Sequence, residues 1–451
     1  MTEKLHTAAS DTFRSLRHRN FKLFFAGQMV SQTGTWLSMV TQTLLVLELT
    51  DSGVALGLLM AFQFGPMLVF GAWAGAVADR SDKRKMLIAL QLLAMAQSVV
   101  LGLVVLGGAA TVPVIYALAA VQGVITAFDN PVRRSFVVEM VPAEDLPNAV
   151  SLNSAIMTGS RVLGPAIAGA LVLTVGYGWP FIIDGLSYTA VIAGLVMMRP
   201  ADLFRSAPMP HRKGQVRQGL RYIRSEPNLL VPLIMMALIG TFAFNFQVTV
   251  PLLVDGPLSG GTGTFTLLFS VLSLGSLIGA LATARRSRVS PQQLVNAAAA
   301  FGVAMVLLAL SPSLAVAFPV SILLGLASIA FMTSSTAIVQ LLAGPEYRGR
   351  VLAIQGMVFL GSTPIGGPVV GWVSDTVGPR AGIALGAIAC FAAAAYGMRA
   401  LDLSDPRLQP DADTSAPDPE LVAERPPHAG DQRQELLHPE LVVERPPHAG
   451  V

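Results

Sequence analysis

Charge is scarce in this sequence, and cysteine is almost absent. Only 13% of the 451 residues are charged and 53% are hydrophobic, whereas soluble domains carry about 25% charged residues. This shortage predicts an all-α protein that crosses a membrane many times. The single cysteine, Cys390, excludes an intrachain disulfide and argues against a cysteine-based metal site.

The signatures of enzyme chemistry are missing as well. The chain has no glycine-rich phosphate loop that ends in Lys-Ser or Lys-Thr, which argues against ATP as its energy source. All six histidines fall in predicted arms or loops, which excludes a buried relay and a closed metal site. They are His6, His18, His211, His428, His438 and His448. We therefore predict no enzyme activity, no cofactor and no metal.

Long hydrophobic runs, in contrast, are abundant. A membrane-spanning helix needs about 20 mostly apolar residues, and twelve stretches qualify. They lie at 21–49, 54–78, 86–108, 113–131, 148–175 and 179–198, and at 227–254, 263–284, 292–311, 315–342, 351–376 and 380–400. Residues 1–20 lack the apolar core of a signal peptide, so we expect the first stretch to direct insertion.

These stretches divide the chain into five parts. We predict an N-terminal arm at 1–20, six-helix bundles at 21–198 and 227–400, a middle loop at 199–226 and a tail at 401–451. In the middle loop, the spacing of Arg217, Arg221 and Arg224 predicts either an amphipathic helix on anionic membrane lipid or a solvated linker helix. The tail is acidic and rich in proline, which predicts disorder.

The basic residues are distributed unevenly between the two sides of the predicted membrane segments. With the N-terminus inside, 28 of the 30 lysines and arginines fall on the cytoplasmic side, and only Arg161 and Arg380 do not. Bases in short loops favour that side. We therefore predict a multi-pass protein of the inner (plasma) membrane with both termini in the cytoplasm, and no nucleic-acid partner. The excess of arginine over lysine is typical of a GC-rich bacterial genome.

An internal repeat relates the two predicted bundles. The segment "GSRVLGPAIAGALVLTVG" at 159–176 matches "GSTPIGGPVVGWVSDTVG" at 361–378 with an offset of 202 residues. Each bundle also begins on the same side of the membrane. Parallel repeats of this kind are one known plan of transporters, in which the substrate site lies at the repeat interface.

The segment "GAVADRSDKRK" at 75–85 carries a family signature. Its Gly75, Asp79, Arg80, Lys83 and Arg84 resemble the motif between the second and third helices of the major facilitator superfamily, with an aspartate in place of the second glycine. The resemblance implies that superfamily's fold, twelve transmembrane helices in two pseudo-symmetric six-helix bundles. It also implies that this segment is a conformational latch at the inner gate.

Within the latch, each residue type suggests a role. We expect Gly75 to allow close helix packing, Asp79 to cap or pair at the base of the next helices, and Arg80 to reach a neighbouring acid. For Asp82, two interpretations stay open. It forms a salt bridge with one of the bases that follow it, or it only solvates the turn.

Three stretches narrow the resemblance to proton-driven drug and siderophore exporters, the secretion-effector-like subgroup. They are "FRSLRHRNFKLFFAGQMVSQTGTWL" at 13–37, "AFDNPVRRSFVVEMVPAEDLPNAVSLNS" at 127–154 and "SRVLGPAIAGALV" at 160–172. The last is similar to the helix-5 antiporter motif through Gly164, Pro165 and Gly169. The resemblance implies a monomer that exports an amphipathic small molecule in exchange for protons by alternating access. A metabolite importer and a transport-inactive sensor or assembly protein are the alternatives.

An ionisable residue inside a membrane span is costly, so each one in the predicted spans is a candidate for a functional role. We expect Arg161, near the middle of the fifth span, to line the transport path, or else to bond structurally to neighbouring carbonyls or acids. Asp129, near the inner end of the fourth, either carries a proton or pairs with Arg133 one turn on. Asp184 and Glu48 lie nearer the outer edge, where interfacial solvation is the favoured explanation.

Uncharged polar residues form stripes on the four helices that, by resemblance, line the central cavity. They are Gln28, Gln32, Thr35 and Gln42; Gln122 and Thr126; Thr241, Asn245 and Thr249; and Thr333, Thr336 and Gln340. The alternative is that they only hold helices together, with each bond contributing about 0.6 kcal/mol. Apolar walls are expected from Phe62, Phe64, Met235, Phe242 and Phe244. This mixture favours an amphipathic substrate.

Overall fold

The computed structural model describes residues 13–78, 80–204, 215–284, 289–344 and 346–401, and every regular element in these ranges is a helix. Six helices form the N-terminal half. They are α1 (Arg19–Thr50), α2 (Gly53–Ala78), α3 (Lys83–Leu106), α4 (Val112–Met140), α5 (Leu146–Val175) and α6 (Gly178–Val196). The predicted tail lies outside the described residues, apart from Leu401.

The C-terminal half follows a short helix, α7 (Gln215–Ser225). Its helices are α8 (Pro227–Phe242), α9 (Phe246–Asp255), α10 (Thr262–Ala284), α11 (Pro291–Ala309), α12 (Leu314–Leu342), α13 (Arg348–Thr376) and α14 (Pro379–Ala400). The all-helical fold is therefore confirmed.

Eleven stretches of the described chain are long and apolar enough to cross a membrane, against the twelve that we predicted. The difference is α1, which has 32 residues but is too polar to qualify. Three of its polar side chains contact polar side chains of other helices in the N-terminal half: Gln28 contacts Arg133, Gln42 contacts Gln63 and Thr35 contacts Tyr188. The prediction of twelve spans is thus confirmed for eleven of them.

The seventh predicted span is not one continuous helix. Its first part ends at Phe242 and its second begins at Phe246, with Asn245 in the break. Asn245 donates from Nδ2 to the carbonyl oxygen of Thr241 at 2.7 Å, which satisfies part of the interrupted backbone. Broken helices at membrane depth occur where the chain lines a cavity or a binding site.

The bundle has two faces that differ in their connections. The "basic face" carries α7 and the described connecting residues 80–82, 141–145, 197–204, 343–344 and 346–347. The "short-loop face" carries the connections 51–52, 107–111, 176–177, 256–261, 310–313 and 377–378.

At the short-loop face the two halves are in close contact. Gly57 of α2 lies against Gly367 of α13, where any added Cβ would overlap the opposite backbone. Gly169 of α5 lies equally close to the side chain of Thr266 on α10, which is 1% exposed. A side chain at position 57 would overlap backbone, and one at position 169 would overlap the Thr266 side chain.

At the basic face the same helices separate. A Cβ on Gly75 (α2), Gly159 (α5) or Gly356 (α13) would meet no atom within 4 Å. Trp73 on α2 is 59% exposed. The expectation that Gly75 packs closely against another helix is therefore wrong for this conformation. The space between the halves is thus open towards the basic face and closed towards the short-loop face.

The segment before α1 is bound to the connection between α4 and α5. His18 donates from Nε2 to Asp145 at 2.7 Å, and Arg14 forms an ion pair with the same carboxylate. The backbone nitrogen of Ser15 donates to Asn148 at 3.0 Å. The hydrogen bond from His18 and the charge of Arg14 hold the pKa of Asp145 below its ordinary value.

The lowered pKa of Asp145 predicts a stability contribution that depends on pH. Because the folded-state pKa is depressed, the ionised carboxylate stabilises the protein above the unfolded pKa of about 4, and this contribution is lost as the pH falls further. We expect Asp145→Asn to lower the melting temperature at pH 7 and pH 5, and to lower it less near pH 3. Differential scanning fluorimetry at the three pH values measures this, and an equal difference at all of them would contradict it.

Helix α7 rests on the C-terminal half at the basic face. Tyr222 stacks on Tyr347 with ring centroids 4.3 Å apart, and Ile223 is buried. Arg221 and Arg224 are exposed, and the side chain of Arg217 lies outside the described residues. One side of the helix is thus docked on protein, and contact of the basic side with lipid stays a prediction.

Candidate functional site

A cavity of about 320 Å³ lies between the two halves. Its wall is largely apolar and is built by helices of both halves. The apolar part includes Met39, Met60, Phe64, Met157, Phe244, Phe269, Met332 and Phe359, and the polar part includes Thr158, Asn245, Gln247, Ser273, Ser276, Ser328 and Thr363. Of the described residues in the wall, Arg161 is the one with a charge. A site shared by both halves changes shape when they move.

Arg161 has no ionic partner among the described residues. The four ion pairs found there involve other groups. Its guanidinium lies over the ring of Trp36, 4.9 Å from the centroid, in the geometry of a cation–π contact. The N–H donors at its edge are therefore available to a ligand in the cavity.

The helix-5 motif places Arg161 against Trp36. A Cβ on Gly164 would overlap the Cβ of Trp36 and lie 3.0 Å from the backbone nitrogen of Leu37. The glycine thus allows α1 to pass directly against α5. Pro165 is buried beside it, and Gly169 is the residue that contacts α10 of the other half. The motif residues pack helices and do not line the cavity.

A second, smaller cavity of about 90 Å³ lies within the N-terminal half. Four of the predicted path residues are here and not in the large cavity. They are Thr35, Gln42, Gln122 and Thr126. Other polar groups complete the wall, namely Ser38, Gln63, Gln97, Asp184 and Tyr188.

Asp184 is buried in the N-terminal half, contrary to the prediction from the sequence. We expected interfacial solvation, but it is 2% exposed and faces the small cavity. Ser98 of α3 donates from Oγ to Oδ2 at 2.8 Å. A Cβ on Gly34 of α1 would lie 2.7 Å from Oδ1. Neighbouring helices, which the sequence around Asp184 does not reveal, enclose the carboxyl.

Asp129 lies in a polar cluster that includes its predicted partner. Arg133 Nε is 3.1 Å from Asp129 Oδ2, and Gln91 donates to Oδ1 at 2.9 Å. Arg133 also donates to Gln28 at 3.2 Å, and Gln32 donates to the same oxygen of Gln28 at 3.3 Å. Of the two interpretations of Asp129, the structure displays the pairing with Arg133.

The remaining predicted polar and apolar residues are dispersed. Thr336 donates to the carbonyl of Met332 in its own helix at 2.9 Å, and Gln340 is exposed at the end of α12. Phe64 and Phe244 do line the large cavity, as expected. Phe62, in contrast, stacks on Tyr116, and Met235 and Phe242 are absent from the described wall.

The described part of the latch segment holds the N-terminal half together. Lys83 forms an ion pair with Glu139 of α4. Arg84 donates to the last carbonyls of α6, those of Leu195 at 2.7 Å and Val196 at 3.0 Å. Cations are favourable at this end of a helix because of its dipole. Both bases therefore fix α3 to its neighbours.

Two other latch predictions have different outcomes. Asp82 accepts from the backbone nitrogen of Lys85 at 3.1 Å and caps α3. This is neither of the two roles that we considered for it. Arg80 is exposed, and Asp79 lies outside the described residues, so their roles stay predictions.

Comparisons with known proteins agree with this architecture. A family model for transmembrane secretion effectors matches residues 10–428. Macrolide efflux protein A of Streptococcus pyogenes is 24% identical over 375 residues, which are 80% of this chain and 92% of that protein. The staphyloferrin A transporter of Staphylococcus aureus is 24% identical over 267 residues, which are 58% of this chain and 66% of that transporter.

A solved structure has the same fold. It is a bacterial homologue of the human lysosomal transporter Spinster, in an inward-facing and occupied conformation. It has a TM-score of 0.65 and 16% identity, and the match covers 86% of this chain and 97% of that one. Because the family model matches most of the chain, the resemblance drawn from the motifs is confirmed: the chain belongs to the transmembrane secretion effector family of major facilitator transporters.

Proposed function

We propose that this protein exports an amphipathic small molecule across the plasma membrane in exchange for protons, by alternating access. The observation that carries the proposal is the cavity between the halves, which is open at one face and closed at the other. By the distribution of bases, the basic face is the cytoplasmic one. The conformation is then the one that receives substrate from the cytoplasm. Because one chain supplies both walls, a monomer is sufficient.

Arg161 narrows the class of substrate to amphipathic anions. Its guanidinium is exposed to the cavity, and no carboxylate of the described chain pairs with it. An acidic group of the substrate supplies the partner, since guanidinium binds such groups with two parallel hydrogen bonds. The methionine and phenylalanine side chains receive the apolar part. A cationic substrate would bring a second positive charge and is disfavoured.

The latch belongs to the opposite half of the cycle. Gly75 faces open space in this conformation. When the halves close at the basic face, the segment 75–85 becomes part of the contact between them. Export then releases the substrate through the short-loop face.

The function is tested in everted membrane vesicles with two dyes that share a xanthene core. Sulforhodamine B is anionic, and rhodamine 6G is cationic. We expect vesicles that contain the transporter to accumulate sulforhodamine B under an imposed pH gradient, acid inside, and to lose this accumulation with a protonophore. Rhodamine 6G should accumulate no more than in vesicles without the transporter.

The direction of transport is tested with the same dyes. Accumulation of sulforhodamine B only in right-side-out vesicles would indicate an importer and contradict the proposal. Failure of both dyes to move, with folded protein in the membrane, would contradict transport of an amphipathic anion. Accumulation that the protonophore does not affect would contradict proton coupling alone.

A further inference from the structure

The small cavity of the N-terminal half surrounds a carboxyl group with hydrogen-bond acceptors. Three of its buried oxygens have no hydrogen-bond donor among the described groups, namely Asp184 Oδ1, Gln63 Oε1 and Gln122 Oε1. Buried polar atoms are normally paired. An ionised Asp184 would add charge to a site already short of donors, whereas a protonated Asp184 supplies one.

The donors that reach Asp184 are two hydroxyl groups. Ser98 lies 2.8 Å from Oδ2 and 2.9 Å from the carbonyl oxygen of Phe181. A hydroxyl has one proton, so it satisfies only one of these acceptors at a time. When Asp184 is protonated, it donates to Ser98, and Ser98 donates to Phe181. Ser38 of α1 is the second hydroxyl beside the carboxyl.

Among the described residues, no cation compensates the charge of Asp184. None of the ion pairs of the described chain includes it. The polar groups that face it from α1, α2, α3 and α4 are serine, threonine and glutamine side chains. The one other titratable group in the described wall is Tyr188 on its own helix. Asp129, in contrast, has Arg133. A carboxylate without a cationic partner inside a membrane protein is unstable relative to its neutral form. The protonated carboxylic acid is therefore the more stable form of Asp184 in this cavity.

The small cavity adjoins the large cavity between the halves. Met39 of α1 and Phe64 of α2 belong to the walls of both. With a volume of about 90 Å³, the small cavity is large enough for a few water molecules at about 30 Å³ each. A substrate that displaces either side chain would connect the carboxyl with water in the large cavity.

We propose that Asp184 is the group that carries the coupling proton of this transporter. The proposal rests on the proton-coupled export stated above. Before substrate binds, the carboxylic acid holds the proton. Substrate binding opens the path past Met39 and Phe64, the O–H bond at Asp184 breaks, and the proton passes to water as hydronium. The carboxylate left behind keeps its hydroxyl donors and is protonated again when the short-loop face opens.

The test compares wild type with Asp184→Asn, in which an amide imitates the protonated acid. In detergent, wild type should show the infrared band of a protonated carboxylic acid and release about one proton per bound sulforhodamine B. Asp184→Asn should lose both signals. In proteoliposomes, the variant should lose accumulation driven by a pH gradient and retain exchange of dye at equal pH. Asp202→Asn, an exposed acid after α6, is the control and should behave as wild type.

The outcomes separate this proposal from the function on which it rests. If wild type transports dye without releasing protons and without a response to protonophore, proton coupling itself is wrong. If wild type is coupled and Asp184→Asn still releases protons and accumulates dye, the assignment to Asp184 is overturned. Loss of proton release in Asp129→Asn but not in Asp184→Asn would move the role to Asp129.

A second variant keeps the test decisive if Asp184→Asn does not fold. Ser98→Ala removes a donor to the carboxylate and leaves the acid in place. Hydrogen bonds to charged groups are strong enough that proton release should be half complete at a pH about one unit higher. An unchanged midpoint in folded protein would overturn the proposal.

Discussion

Arg161→Gln is expected to reduce kcat/KM for sulforhodamine B by about 30-fold or more. Truncation of one partner in a desolvated charge pair costs about 2–5 kcal/mol, and 1.4 kcal/mol corresponds to a factor of ten. Because the guanidinium binds the substrate before the halves move, most of the loss should appear in KM. Glutamine keeps a polar side chain that can donate a hydrogen bond, but it is shorter and has neither the charge nor the planar fork.

Two further variants distinguish charge from geometry at this position. Arg161→Lys keeps the charge but loses the contact of the flat guanidinium with Trp36, so it should lie between wild type and Arg161→Gln. Arg380→Gln is the matched control, because Arg380 is the other base outside the predicted basic connections and donates to the carbonyl of Ser311 at 3.0 Å. It should transport normally.

For the cationic dye, rhodamine 6G, we expect the opposite change in transport rate. Removal of the charge should allow rhodamine 6G to enter a cavity that excluded it, so Arg161→Gln should gain rhodamine 6G transport while it loses sulforhodamine B transport. Initial rates in energised vesicles measure both. An unchanged KM for the anion would show that Arg161 has a structural role only.

The sequence predicts the helices far better than the contacts between them. Hydropathy places most helix bounds of both halves within a few residues, because every spanning helix needs enough apolar length and must satisfy its own backbone groups. The exception is the fourth span, whose predicted end is residue 131 and whose helix continues to Met140. The break between Phe242 and Phe246 is not predicted by hydropathy. The phenylalanines in and beside it, Phe242, Phe244 and Phe246, are as apolar as those of an unbroken span.

The candidate site is only partly visible in the sequence for a related reason. Arg161 can be recognised as a candidate from the sequence, because a charged residue in the middle of a span is costly and usually has a function. Asp184 is not, since its burial depends on Gly34 and Ser98, which are distant in the chain and approach it only after the helices pack. The polar stripes predict which helix faces avoid lipid. They do not predict which of three clusters a given glutamine joins.

Asp375→Ala is expected to open the short-loop face more often. Asp375 at the end of α13 accepts from the backbone nitrogens of Gly53 at 2.6 Å and Val54 at 3.0 Å, and from Ser52 Oγ at 2.8 Å. The carboxylate of one half thus caps the first turn of α2 in the other, where the helix dipole favours a negative charge. These bonds must break whenever the halves separate at this face.

The size of the effect follows from the strength of such caps. Replacement of a capping side chain by alanine costs about 1 kcal/mol, which changes a two-state equilibrium about fivefold. The bonds exist only in the conformation closed at the short-loop face, so their loss should raise the population of the opposite conformation by that factor. Asp375→Asn keeps one acceptor without the charge and should have a smaller effect.

A cysteine at Thr266 reports this population. Thr266 is buried at the closed interface against Gly169, so Thr266→Cys should react with a maleimide only when the short-loop face opens. The native Cys390 is fully buried and is replaced by serine in the test protein. Asp375→Ala should raise the labelling rate about fivefold. Asp255→Ala, which removes an exposed acid on the same face, should leave it unchanged. Equal rates in Asp375→Ala and its parent would show that the cap does not hold the gate.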